Sequence, residues 1–96
     1  MYNQVNLIGR LTEDPEFANT ETYITVSVQS NYRNADGEYE SDLIKCLLPK
    51  GLAKTTTDYC KKDDLLSIRG QIKTDNTGQS FVFVDKVIFL TSEKDR

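Results

Sequence analysis

Histidine and tryptophan are absent from these 96 residues, and cysteine occurs only twice. Without histidine the commonest metal ligand and the commonest general base are both missing. No cluster of metal-ligating residues and no nucleophile beside a base takes its place, so neither an enzyme nor a bound cofactor is expected. The one carboxylate pair, Asp63-Asp64, falls in a helix-to-strand turn and reads as a solvated loop. Cys46 and Cys60 make no disulfide framework and suit a reduced, cytoplasmic protein. No apolar run approaches the roughly 20 residues that span a bilayer, and no basic region followed by an apolar stretch opens the chain as a secretory signal would. There is no internal repeat and no low-complexity linker. The length suits one domain over residues 1–96 with a modest core.

Acidic residues outnumber basic ones fifteen to twelve, a net charge of −3. The imbalance is uneven. Residues 1–42 carry eight acids and only Arg10 and Arg33, whereas residues 43–96 carry ten bases and seven acids. An acidic half and a basic half can leave one positive face on a small fold, even though the whole is a poor electrostatic match for a polyanion.

What is present is strand pattern. Residues 4–11 alternate, with Val5, Leu7 and Leu11 on one face and Asn6, Ile8 and Arg10 on the other. Gly9 interrupts this strand as a bulge or tight bend, and Asp14-Pro15 stops it. A second strand covers 23–30, where Ile24, Val26 and Val28 alternate with Thr25, Ser27 and Gln29. The polar segment Asn31 to Ser41 connects it to a third strand over 42–48, which turns Ile44, Cys46 and Leu48 inward. A short helix is predicted over 51–60 from the Leu52, Thr56, Tyr59 spacing. Its Thr55-Thr56-Thr57 run has poor helix propensity, so docking must hold it. A fourth strand spans 65–73 with Leu66, Ile68 and Ile72 inward, and Asn76-Thr77-Gly78 turns the chain into Phe81-Val82-Phe83-Val84. On that last strand either the phenylalanines or the valines face out. Phe17 and Phe89 read as core residues, and Tyr39 is undecided. The class is all-β: five strands, with one short helix between the third and fourth, in the order of an OB-fold barrel.

The run Leu7-Ile8-Gly9-Arg10-Leu11-Thr12, followed by Asp14-Pro15-Glu16, resembles the opening of bacterial and phage single-stranded DNA-binding proteins. Ser27 to Tyr32 is similar to that family's second strand, Asp42 to Cys46 to its third, and Leu66 to Thr74, with its Gly70, to its fourth. Ala53, Tyr59 and Lys61-Lys62 fit its helix and the turn beyond, so the resemblance runs from about Gln4 to Leu90. It implies an OB-fold barrel that binds and protects single-stranded DNA without sequence preference in replication, recombination or repair.

Such binding needs bases to track the phosphates and aromatic rings to stack on nucleobases. The resemblance and the strand alternation point to Lys45, Arg69 and Lys73 in one groove, with Arg10 and Lys50 at its margins. The competing reading of these charges is an ordinary solvated surface. Tyr32, beside Arg33, matches the family's aromatic at the start of the long second hairpin, although a buried plug of the barrel edge would also suit it. Phe81 and Phe83 are the other stacking candidates. Three departures from the family stand out, the first two of which reduce the expected stacking and the third the recruitment of replication and repair enzymes. Leu43 and Pro49 occupy positions where many members have aromatics, the loop between strands four and five is short, and no acidic tail follows Ser92 to Arg96.

Outward Leu43, Leu47 and Pro49 leave an alternative open, a primosomal-replication-type OB protein that serves as an adaptor to replication or restart proteins. The family also implies a homo-oligomer, a tetramer in preference to a dimer. Its interface would be the first strand at Val5, Asn6, Leu7 and Ile8, where Ile8 is more apolar than a solvated edge normally carries.

Overall fold

The computed structural model describes residues 1–17 and 21–91. Six elements follow in order: β1 (Val5–Leu11), β2 (Thr22–Arg33), β3 (Tyr39–Leu48), α1 (Lys50–Tyr59), β4 (Leu65–Thr74) and β5 (Ser80–Phe89). The strands close into a barrel in the order β1-β2-β3-β5-β4, the expected OB-fold arrangement. Every pairing is antiparallel except β3 with β5, where Cys46 lies beside Val82 and Leu47 beside Phe83. That parallel pair is where α1 is needed, because parallel strands require a long crossover.

Strand alternation fills the barrel. Leu11, Ile24, Val26, Cys46, Leu48, Leu66, Ile68, Val82 and Val84 are buried, and Phe89 packs against them half-buried. Burial pushes the Cys46 thiol up to about 12 from an ordinary 9.0. The folded protein should therefore not react at Cys46 with a thiol reagent at pH 8, and unfolding should expose it. The sign for stability follows. The unfolded thiol ionises near 9.0 and the folded one only near 12, so its contribution is whole below pH 9 and lost as pH rises between those values.

The helix begins after Pro49, whose carbonyl accepts the Ala53 N–H at 2.8 Å, and ends at extended Cys60. The docked stripe is Ala53, Thr56 and Cys60, about one residue later than predicted, so Tyr59 lies exposed beside Phe89. Thr55 and Thr57 donate back to the carbonyls of Gly51 and Ala53. The Thr56 hydroxyl is fully buried with no partner among the described residues. Thr56→Val removes that orphan at nearly constant shape and should raise stability by about 1 kcal/mol, measured by urea unfolding.

Several expectations change. Gly9 is no bulge, because β1 stays in unbroken register with β4 from Val5 to Arg10. Its need for glycine is close approach: a Cβ there would sit 2.7 Å from the Ser27 carbonyl oxygen. The segment Asn31 to Ser41 is mostly hairpin, since β2 and β3 continue to Arg33 and Tyr39. Only 34–38 turn, held by Asn34 Oδ1, which accepts the N–H groups of Asp36 and Glu38, and by Gly37 at φ 79°. Ile72 is half exposed because the β1–β4 ladder ends at Val5 and Gly70, which leaves it past the barrel rim. Phe17 is exposed rather than core. Asp64 is buried and accepts the Lys61 N–H, so it belongs to the packed turn rather than to a solvated loop. The residues from Ser92 to Arg96 lie outside the described ones.

Candidate nucleic-acid interface

Outward positions on four neighbouring strands line up into one surface. The ladders place Tyr23 (β2) beside Leu47 (β3), Leu47 beside Phe83 (β5), and Phe83 beside Gln71 (β4). In the adjoining row Thr25 pairs with Lys45, and Lys73 with Phe81. The choice left open on β5 is decided by Val82 and Val84, which are buried, so Phe81 and Phe83 face out. The phenylalanines are half-buried and Tyr23 is 38% exposed.

These side chains touch. The Tyr23 and Phe81 rings meet edge to face, 6.2 Å between centroids. Lys45 Nζ stands 4.2 Å from the Tyr23 ring centroid, and Lys73 Nζ stands 4.8 Å from that of Phe83. Such cation–π contacts follow from the negative face of the ring quadrupole. The Tyr23 phenol donates to Glu21 at 3.0 Å. That bond, then burial, holds its pKa above the usual value and keeps the ring neutral. Asp75 opens the β4–β5 turn, where its carboxylate accepts from the Thr77 hydroxyl and from the N–H groups of Thr77 and Gln79. The Thr77 bond leads in lowering its pKa, and the Lys45 charge adds to the effect. The chemistry of this surface is flat apolar rings bordered by two cations.

Of the residues expected at the site, the structure brings together Lys45, Lys73, Phe81 and Phe83. Arg69 is drawn off by an ion pair with Asp85 at 2.7 Å, in a row with Asn6 and Lys86. A register shift in the β4–β5 ladder next to Arg69 separates that row from Gln71 and Lys73. Arg10 donates to the Asp63 carbonyl and lines a recess of about 540 Å³ with Ile8, Ser27, Gln29 and Ser41. Lys50 is the exposed first residue of α1. Tyr32 is 82% exposed on the β2–β3 hairpin, which removes the buried-plug reading. Its neighbour Arg33 lies 5.3 Å from the Tyr39 ring, giving Tyr39 a partner.

The residue that sequence reasoning missed is Tyr23. Its signal was present, since parity with Thr25, Ser27 and Gln29 puts it on the outward face. Nothing local showed that Phe81 and Lys45 would stand next to it.

Comparison with known proteins gives this surface its context. The profile of the single-strand binding protein family matches residues 2–83. The chain is 39% identical over 79 residues to single-stranded DNA-binding protein B of Bacillus subtilis, covering 77% of this chain and 70% of that protein. It is 38% identical over 81 residues to single-stranded DNA-binding protein 1 of Streptococcus pyogenes, covering 79% and 62%. With the single-stranded DNA-binding protein of Enterococcus faecalis it shares 37% identity over 81 residues, 79% of this chain and 43% of that one. The chain thus spans less than two thirds of the length of the latter two relatives. Both its barrel and the order of its motifs agree with a profile that covers well over half its length, and the chain belongs to the single-strand binding protein family.

Proposed function

We propose that the protein, as a single barrel domain, binds single-stranded DNA without sequence preference on the face formed by Tyr23, Lys45, Lys73, Phe81 and Phe83. The observation that carries this reading is the pairing of exposed rings with cations on one surface. Rings supply stacking platforms for any base, and lysines neutralise phosphates. The names of its relatives support the same ligand. The action is protection of strands exposed in replication, recombination or repair, in the cytoplasm and without catalysis. Arg10, Tyr32, Arg33, Lys50 and Arg69 are secondary contacts for a strand long enough to run beyond the cluster. A gel shift with a dT oligomer of about 35 nucleotides, repeated over a salt series, tests the reading, because the slope counts neutralised phosphates. Absence of a shift at low salt overturns it.

The adaptor alternative is weaker. Of its three outward apolar residues, Leu47 and Pro49 are half-buried and only Leu43 is strongly exposed.

We also propose a homo-oligomer, a tetramer in preference to a dimer, assembled through β1. Val5 and Leu7 turn toward the core, so the side-chain contribution comes from Asn6 and Ile8. Ile8 is 58% exposed, and the ladders run from it through Ser67 to Ile88, which is 46% exposed. β1 pairs with β2 only at Arg10 and Leu11, which leaves room for another strand along its first half. Ile8→Lys should lower the mass seen by light scattering and weaken binding to long oligonucleotides more than to short ones. A monomer at micromolar concentration in the unmodified protein would count against this assembly.

A further inference from the structure

We infer that Lys45 and Lys73 are displaceable caps on the stacking rings, so that the face selects ligands carrying both a flat base and a phosphate. The inference rests on the nucleic-acid reading above and goes beyond it to what makes the face selective.

The argument is one of space. A base stacked on a ring lies about 3.5–4.0 Å from it, at van der Waals contact. Lys45 Nζ, over the Tyr23 ring at 4.2 Å from its centroid, and Lys73 Nζ, over the Phe83 ring at 4.8 Å, stand at or just beyond that layer, too close for a base to slide beneath them. The perpendicular Phe81 ring borders Tyr23 on another side. Base and ammonium therefore exclude each other on these ring faces. Neither lysine is fixed by an ion pair among the described residues, in contrast to Arg69, which Asp85 holds at 2.7 Å. The caps are free to leave when something better arrives.

Each half of a ligand alone makes a poor exchange. A polyanion without bases draws the ammonium groups off and leaves two rings facing water. A base without a phosphate must evict a cation and brings no anion in exchange, and Asp75, the carboxylate that senses Lys45, is already engaged by Thr77 and Gln79. A single strand supplies a base for the ring and a phosphate for the displaced lysine from the same nucleotide. Duplex DNA offers phosphates, but its bases are already stacked on one another. The lysines thus act as specificity determinants as well as charge donors.

The test uses the full chain and proton NMR of the lysine Hε methylenes, assigned with Lys45→Arg and Lys73→Arg variants. In the free protein both signals are expected upfield of the other lysines, through the ring currents of Tyr23 and Phe83. A dT oligomer of about 15 nucleotides, within the footprint of one OB barrel, should return both to the ordinary position. An abasic oligomer of equal length should bind at least tenfold more weakly. Signals that stay upfield when dT is bound, or that are not upfield in the free protein, overturn the inference, as does equal affinity for the abasic oligomer. Failure of dT to bind at any salt would instead overturn the nucleic-acid reading, and the caps with it.

Discussion

Gly70→Ala is expected to destabilise the barrel by about 4 kcal/mol or more, the range reserved for changes with a specific steric cause. Gly70 is buried in β4 between two strands, opposite Val5 of β1 and Val84 of β5. A Cβ built there would lie 2.2 Å from the Phe83 carbonyl oxygen and 2.9 Å from its carbon. Those atoms are backbone in a paired strand, so they cannot rotate away as a flexible side chain would. The β4–β5 register also shifts between Arg69 and Gly70, which brings the two backbones close at this point. Total stabilities of small domains are about 5–15 kcal/mol, so the variant should melt roughly 15–30 °C lower or not fold at all. Gly51→Ala is the control. Nothing lies within 4 Å of a Cβ there, and the residue is helical, so the same change should stabilise by about 0.5–1 kcal/mol. Thermal unfolding of both variants checks the pair. A Gly70→Ala protein that melts within a few degrees of the unmodified one would mean the β4–β5 approach is looser than the geometry shows.

The largest effect on binding is expected from Tyr23→Ala combined with Phe83→Ala, measured by titration with a dT oligomer. Each change removes one stacking platform worth about 1–3 kcal/mol per base, and 1.4 kcal/mol is a tenfold change in affinity. The two rings sit in one connected surface, so the double variant need not equal the sum of the singles. Tyr23 is 38% exposed and its ring meets Phe81, so its loss should lower the melting temperature modestly without unfolding the barrel. Phe83 is half-buried, so its variant is compared with the unmodified protein only where both are folded. Lys45→Ala and Lys73→Ala should act differently, each flattening the salt slope by up to about one phosphate. Arg69→Ala should flatten it less, because Asp85 already balances that charge. Tyr32→Ala should matter only for strands long enough to reach the hairpin. Unchanged affinity in a folded Tyr23/Phe83 double variant would move the path elsewhere on the barrel.

Much of this protein is readable along one strand at a time. Alternation in β2, β3 and β5 reports which residues share a face, because successive side chains on a strand point to opposite sides. That periodicity alone separates Cys46 and Leu48 from Lys45 and Leu47, and the order of five strands with a helix after the third identifies the barrel. The motif run from Leu7 to Glu16 carries the family. What alternation cannot report is which strand lies alongside and in what register. The Phe81–Val84 segment has two faces of similar apolarity, and only closure of the barrel on β3 assigns the valines inward. Tyr23 and Phe81 are 58 residues apart in sequence, and only the β2-β3-β5 order sets their rings together. Arg69 and Lys73 look equivalent on one strand, yet the register shift hands Arg69 to Asp85 and leaves Lys73 over Phe83. Ile72 continues the inward parity of Leu66 and Ile68, but β1 has ended by then and no wall remains to cover it. The periodicity of a strand is a local property of its own backbone. The face of rings and lysines is built from lateral neighbours, and those are settled by long-range pairing.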